Sequence, residues 1–219
     1  MSGTKVAVID YGMGNLHSVA KALEHADSAA QVTVTHEAQQ IRQADRVVFP
    51  GVGALADCMV HLRERDLTET VLEASRNKPF LGICLGMQAL LDSSEEGQTE
   101  QGPIAALGRL TGQVLAFPED EMRNKGLKVP HMGWNRVYIR AAHPLWQGIA
   151  SGCRFYFVHS YYAKMENESD VSATTDYGLE FASVLAHENL FAVQFHPEKS
   201  HRDGLRLLAN FMKWNGEGA

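Results

Sequence analysis

Between residues 5 and 94, short runs rich in valine, isoleucine and phenylalanine alternate with segments whose apolar residues recur at helical spacing. Few folds accommodate that alternation. Strands separated by helices run parallel to one another, and the helices must cover the faces of the sheet those strands build. KVAVID (5–10), QVTVT (31–35), RVVFPGVG (46–53) and PFLGI (79–83) read as strands. LHSVAKALEHA (16–26), HEAQQIRQA (36–44), the stretch 54–76 with a break near Arg65–Asp66, and LGMQALLDSS (85–94) read as helices. The expected fold is α/β and doubly wound: an open, mostly parallel sheet with helices on both faces.

After about residue 100 the rhythm changes. GRLTGQVLAF, KVPHMGWNRVYI, CRFYFVHSYYA and FASVLAHENLFAVQFHPE are strand-rich, with HENL placed as a hairpin turn between two apolar runs. They predict an added antiparallel part. SSEEGQTEQGP (93–103) reads as a surface loop, and HRDGLRLLANFMKW (201–214) as a closing amphipathic helix. A chain of 219 residues can bury one substantial core, and residues 1–219 are expected to form a single domain.

Composition narrows the partners. The formal net charge is −6 with no long run of Lys or Arg, so neither nucleic acid nor an anionic membrane surface is expected as a partner. No apolar stretch reaches the roughly 18 residues of a membrane span, and MSGTKVAVID carries no small-residue cleavage site. Three sparse cysteines make a poor disulfide framework and suit a reducing cytoplasm. No CxxC or HExxH occurs, so no metal site is expected. DYGMGN lacks a full GxGxxG, and no cofactor is expected either.

The sharpest local feature is GICLGMQ (82–88). A strand that turns into a helix through Gly82 and Gly86 exposes the residue at its apex, Cys84, by the same steric logic as the GxSxG turn. A thiol at the start of that helix would gain thiolate character, and the carboxyl ends of parallel strands are where ligands bind. By itself Cys84 fits a small buried cysteine equally well. FHPE (195–198) offers a base: Pro197 favours an extended His196, so His196 and Glu198 can face one way. A turn histidine beside a solvated glutamate also fits. FPGVG (49–53) offers backbone N–H groups with little side-chain cover, suited to an oxyanion or simply to a βα turn.

In this order and spacing the three motifs resemble the triad-type, class I glutamine amidotransferases. DYGMGN, PGVGA, GICLGMQ, PHMGWN (130–135), YFVHSYY (156–162) and QFHPEKS (194–200) together resemble the glutaminase subunits of imidazole glycerol phosphate synthases, over about Val6 to Trp214. The resemblance implies Cys84 as nucleophile, His196 as general acid/base and Glu198 as its orienter. It implies an oxyanion hole from Leu85 and from Gly51, Val52 and Gly53. Gln88, Glu96, Ser160 and Tyr161 match positions that hold the two ends of L-glutamine. Asn15, Met132, Trp134 and Lys199 match an interface with a separate (β/α)8 cyclase subunit, met as a heterodimer. A glutaminase serving a different synthase, or a non-catalytic regulatory subunit on the same scaffold, are the alternative readings.

Overall fold

The computed structural model describes residues 3–218. Four strands of the first half alternate with helices: β1 Lys5–Ile9, α1 Leu16–Ala26, β2 Gln31–Thr35, α2 Ala38–Gln43, β3 Arg46–Gly51, α3 Leu55–Glu64, α4 Thr68–Asn77, β4 Phe80–Cys84 and α5 Leu85–Gln88. The second half supplies β5 Ser93–Thr99, β6 Gly102–Ala105, β7 Gly112–Ala116, α6 Glu119–Asn124, β8 His131–Arg136, β9 Tyr138–Ile139, β10 Arg154–His159, β11 Tyr161–Met165, β12 Val171–Asp176, β13 Glu180–His187, β14 Leu190–Val193 and α7 His201–Lys213.

The main sheet runs β2-β1-β3-β4-β14-β13-β11-β7-β5-β6, with β12 branching from β13 and β9 pairing with β12. From β2 to β14 every pairing is parallel; β13 turns the sheet antiparallel. β8 and β10 form a separate antiparallel ribbon. The inner parallel strands β1, β3, β4 and β14 are buried on both faces, which is why β1 is a continuous apolar run rather than an alternation, whereas the edge strand β2 is largely exposed. In β1, Val6 and Val8 face α1 and α7, while Ala7 and Ile9 face α2, α3 and α4. Helix α7 buries Gly204, Leu207, Leu208, Phe211 and Met212, one stripe at helical spacing.

Two expectations fail. The helix after Cys84 ends at Gln88 rather than near residue 94. The carbonyls of Ala89, Leu90 and Leu91 accept from the N–H groups of Leu107, Arg109, Leu110 and Gly108, so tertiary partners replace a second helical turn. Residues 93–103 are not a loose loop either: β5 and β6 pair as a hairpin, β5 also pairs parallel with β7, and Ser94 is fully buried. Polar composition concealed a strand whose backbone, not its side chains, supplies the pairing.

Candidate active site

β3, β4 and β14 are neighbours in the parallel sheet, and each ends at the same edge. Gly51 closes β3 in register with Cys84 at the end of β4, and Val193, last in β14, is in register with Ile83. The carboxyl ends of adjacent strands, about 4.8 Å apart, thereby gather the 49–53 loop, Cys84 and the segment leading to His196. This is the edge at which open α/β sheets bind ligands.

Cys84 has φ 54° and ψ −108°, a conformation that L-residues with a Cβ seldom adopt. Gly86 follows at a position with no room for a side chain, since a Cβ there would lie 1.8 Å from the Phe49 carbonyl oxygen. Strand β3 packs that closely against the turn and holds it sharp. Because α5 is a single turn, its dipole is small; Gln194 Nε2 lies 3.7 Å from the sulfur.

His196 is at the end of an extended segment with φ −99° and ψ 98°, and Pro197–Lys199 then form a 3-10 turn instead of continuing extended. The two side chains still meet. His196 Nδ1 lies 2.8 Å from Glu198 Oε1, with both side chains almost fully buried. The carboxylate accepts, so Nδ1 carries the proton and Nε2, which has no hydrogen-bond partner, remains open toward the pocket. Burial pushes the imidazole down, but Cys84 and Glu198 outweigh it and raise His196 to about 9. The segment is anchored on both sides. His196 N–H donates to the Tyr156 carbonyl at 2.9 Å, Ser200 Oγ donates to the His196 carbonyl at 2.6 Å, and a Cβ at Gly204 of α7 would lie 2.0 Å from the Pro197 oxygen.

A pocket of about 280 Å³ opens over Cys84. Val52, Gly53, Leu85, Gln88, Glu96, Ser160, Tyr161 and His196 line it together with Pro130, Val158 and His159. Gly51 lies just behind, beside Pro50, Val52, His196 and Glu198. Leu85 opens the α5 turn, where a backbone N–H has no intrahelical acceptor. The Gln88 amide donates to the Tyr161 carbonyl at 3.1 Å and to Gln194 Oε1 at 3.0 Å, which leaves Gln88 Oε1 as an acceptor. Glu96 accepts from the Leu55 N–H at 2.8 Å and so caps α3 with one oxygen. Burial raises its carboxyl above the ordinary range, against the lowering effect of that bond. One acceptor group and an anionic one at the same wall suit an ammonium.

The remaining four sequence-selected residues lie outside the pocket. Asn15 shares a narrow cleft with Val52, His196 and Glu198. Met132 and Trp134 are among the most exposed large apolar side chains of the described residues. Trp134 stacks on His201 with ring centroids 4.9 Å apart, two residues from the exposed Lys199. Sequence reasoning passed over Gln194 and His159. Both sit inside quoted motifs, QFHPEKS and VHSYY, but a buried amide and a buried imidazole carry no periodic signal. Cys58 is buried beside Tyr11, and burial pushes its thiol up to about 12. Among the described residues no cluster of three His, Cys, Asp or Glu side chains is placed to hold a metal, and no helix is long and apolar enough to cross a membrane.

Comparison with known proteins matches this architecture. The profile of the family "Glutamine amidotransferase class-I" matches residues 7–214. The "Imidazole glycerol phosphate synthase subunit HisH" of Methylococcus capsulatus is 59% identical over 96% of this chain and 97% of its own. The protein of the same name from Nitrosococcus oceani is 55% identical over 97% and 99%. Among solved structures, PurLQS from Thermotoga maritima superposes with a TM-score of 0.72 at 18% identity, covering 96% of this chain and 98% of that chain. A crystal structure of a glutamine amidotransferase gives 0.69 at 18% identity, covering 95% and 97%. With a family profile spanning nearly the whole sequence and relatives above half identity, the chain belongs to the class I glutamine amidotransferases, among the HisH subunits of imidazole glycerol phosphate synthase.

Proposed function

We propose that Cys84, His196 and Glu198 hydrolyse L-glutamine to glutamate and ammonia, and that the ammonia passes to a separate (β/α)8 cyclase subunit. The observation that carries the reading is one imidazole bound at Nδ1 by a buried carboxylate, with its Nε2 unpartnered and sharing a pocket with a cysteine on a strained strand-to-helix turn. Glu198 fixes the proton on Nδ1, so Nε2 can take the proton of the Cys84 thiol, and the raised basicity of His196 favours the imidazolium that results. The sulfur attacks the carboxamide carbon, and the negative oxygen that forms is held by the Leu85 N–H and by N–H groups of the 51–53 loop. His196 returns the proton to the amide nitrogen, the C–N bond breaks, and ammonia leaves a γ-glutamyl thioester. Water gives a proton to His196 and cleaves the thioester; the proton returns to sulfur and glutamate departs. Gln88 Oε1 and Glu96 are suited to accept from the substrate ammonium, and Ser160 and the Tyr161 region to meet its carboxylate.

The ammonia is proposed to be consumed with a phosphoribulosyl-formimino ribonucleotide, giving imidazole glycerol phosphate and an aminoimidazole carboxamide ribotide. The relatives are named as subunits of the synthase, which supports placing the cyclase barrel on a separate chain. The face bearing Met132, Trp134 and Lys199, together with Asn15 in its cleft beside Glu198, is proposed to bind it. Rapid quenching of the assembled complex with glutamine, followed by intact-mass analysis, tests the chemistry. A γ-glutamyl adduct on Cys84 with ammonia release is expected. Absence of both in a complex that still uses ammonium salts would sink the reading.

A further inference from the structure

Beyond the triad, one run of polar side chains reaches from the surface ribbon to the nucleophile. Asn135 Nδ2 lies 3.3 Å from His131 Nε2, and His131 Nδ1 lies 2.9 Å from His159 Nε2. His159 Nδ1 lies 2.7 Å from the Tyr161 carbonyl oxygen, which also accepts from Gln88 at 3.1 Å. Gln88 donates again to Gln194 Oε1 at 3.0 Å, and Gln194 Nε2 lies 3.7 Å from Cys84 Sγ. His131, His159, Gln88 and Gln194 are all buried.

The polarity of the run is fixed at its ends. Asn135 cannot flip, because its Oδ1 accepts from the Arg136 N–H at 2.7 Å and its Nδ2 donates to the Asp176 carbonyl at 2.8 Å. Its amide therefore donates to His131 Nε2, and His131 must carry its proton on Nδ1. A carbonyl only accepts, so His159 also carries its proton on Nδ1 and receives from His131 on Nε2. Burial lowers His131 to about 4 and His159 to about 3, which keeps both rings neutral. At the inner end, reversing Gln194 would set its amide nitrogen against that of Gln88, donor to donor. Its N–H is consequently aimed at sulfur.

We propose that this chain is a positioning element: the His131–His159 pair fixes the Tyr161 carbonyl, which with Gln194 orients the Gln88 amide so that its oxygen is presented to the substrate ammonium. His131 and Asn135 lie outside the pocket and His159 forms part of its wall; all three act on the substrate ammonium through Gln88. The proposal rests on the glutaminase reading above.

Two measurements test it. Long-range ¹⁵N NMR of the histidine rings in the whole chain at pH 7 reads the polarity directly: both rings are expected as Nδ1–H tautomers. Steady-state glutamine hydrolysis by the assembled complex reads the positioning. Replacing His131→Phe removes the donor at similar size, and the KM for glutamine is expected to rise about tenfold with kcat changed less than about threefold. His131→Asn places an amide donor near the Nδ1 position and is expected to recover most of that loss. If His131→Phe does not fold, Asn135→Ala replaces it, with a mixture of His131 tautomers and a smaller KM rise expected. An Nε2–H tautomer on either ring overturns the chain. So do equal kinetics of the Phe and Asn variants, or a loss confined to kcat. A wild-type complex that uses ammonium but hydrolyses no glutamine overturns the functional reading instead, while the NMR result still judges the polarity.

Discussion

A buried imidazole ordinarily gives up its proton, since desolvation penalises the cation. His196 departs from that rule because it lies between Cys84 and Glu198, whereas His131 and His159, with no anionic partner, follow it. Their consequences for stability have opposite signs. His196, raised to about 9, stabilises the fold fully below the ordinary value near 6.5 and loses that contribution as pH rises through 9. His131 and His159, lowered to about 4 and 3, stabilise above 6.5 and lose that contribution as pH falls toward 3. Denaturant unfolding between pH 7 and pH 5 should therefore show stability falling, with each ring supplying up to about 1.4 kcal/mol per pH unit. His131→Phe should flatten that acid limb; an unchanged slope would count against the neutral pair. For the rate, His196→Ala is expected to cost at least about 10³-fold in thioester formation, and Glu198→Gln about tenfold less, because in the proposed mechanism the imidazole moves the proton while the carboxylate orients it. Equal single-turnover rates would contradict this division. Cys84, His196 and Glu198 could be picked out as a candidate triad in the sequence because glycines and a proline announce their backbone. Gln194 and His159 were not, because what distinguishes them is which amide faces which sulfur or carbonyl, a property of the packed interior.

The strand-to-helix turn illustrates how elements set the site. Gly82 and Gly86 look symmetrical about Cys84 in the sequence, yet their surroundings differ. A Cβ at Gly82 would meet Ala192 Cβ at 3.1 Å, while one at Gly86 would overlap the Phe49 carbonyl at 1.8 Å. Gly86→Ala must push β3 away and is expected to destabilise by more than about 3 kcal/mol, with Gly82→Ala costing about 1 to 2 kcal/mol. Thermal unfolding of the two variants checks the ordering, and equal losses would mean that β3 yields more readily than its packing suggests. The parallel strands, α1, α3, α4 and α7 were readable from periodicity alone. The brevity of α5 and the β5–β6 hairpin were not. In both cases backbone groups find partners distant in sequence: the 107–110 segment for the first, β7 for the second. Hydrophobic pattern carries no record of such pairing.

At the scale of the whole molecule, the pocket and the exposed apolar face of the β8–β10 ribbon lie on linked elements: Trp134 stacks on His201, and His201 follows the turn that carries Glu198 and Lys199. An exposed Met132 and Trp134 side by side on one strand are costly in water unless something covers them. Trp134→Ala is expected to weaken assembly with the proposed cyclase subunit by at least about tenfold, as loss of a central aromatic anchor does, while leaving the unfolding midpoint of the free chain nearly unchanged. Titration calorimetry would show it, and unaltered affinity would move the interface elsewhere. The central claim is a division of labour, in which this chain makes ammonia and its partner consumes it. Cys84→Ala tests that most directly, in a complex shown to be fully assembled, by comparing synthesis driven by glutamine with synthesis driven by ammonium salts. The account predicts that the glutamine-dependent product disappears while the ammonium-dependent rate stays within about twofold of wild type. Equal loss of both, or retention of glutamine-dependent synthesis, would contradict it.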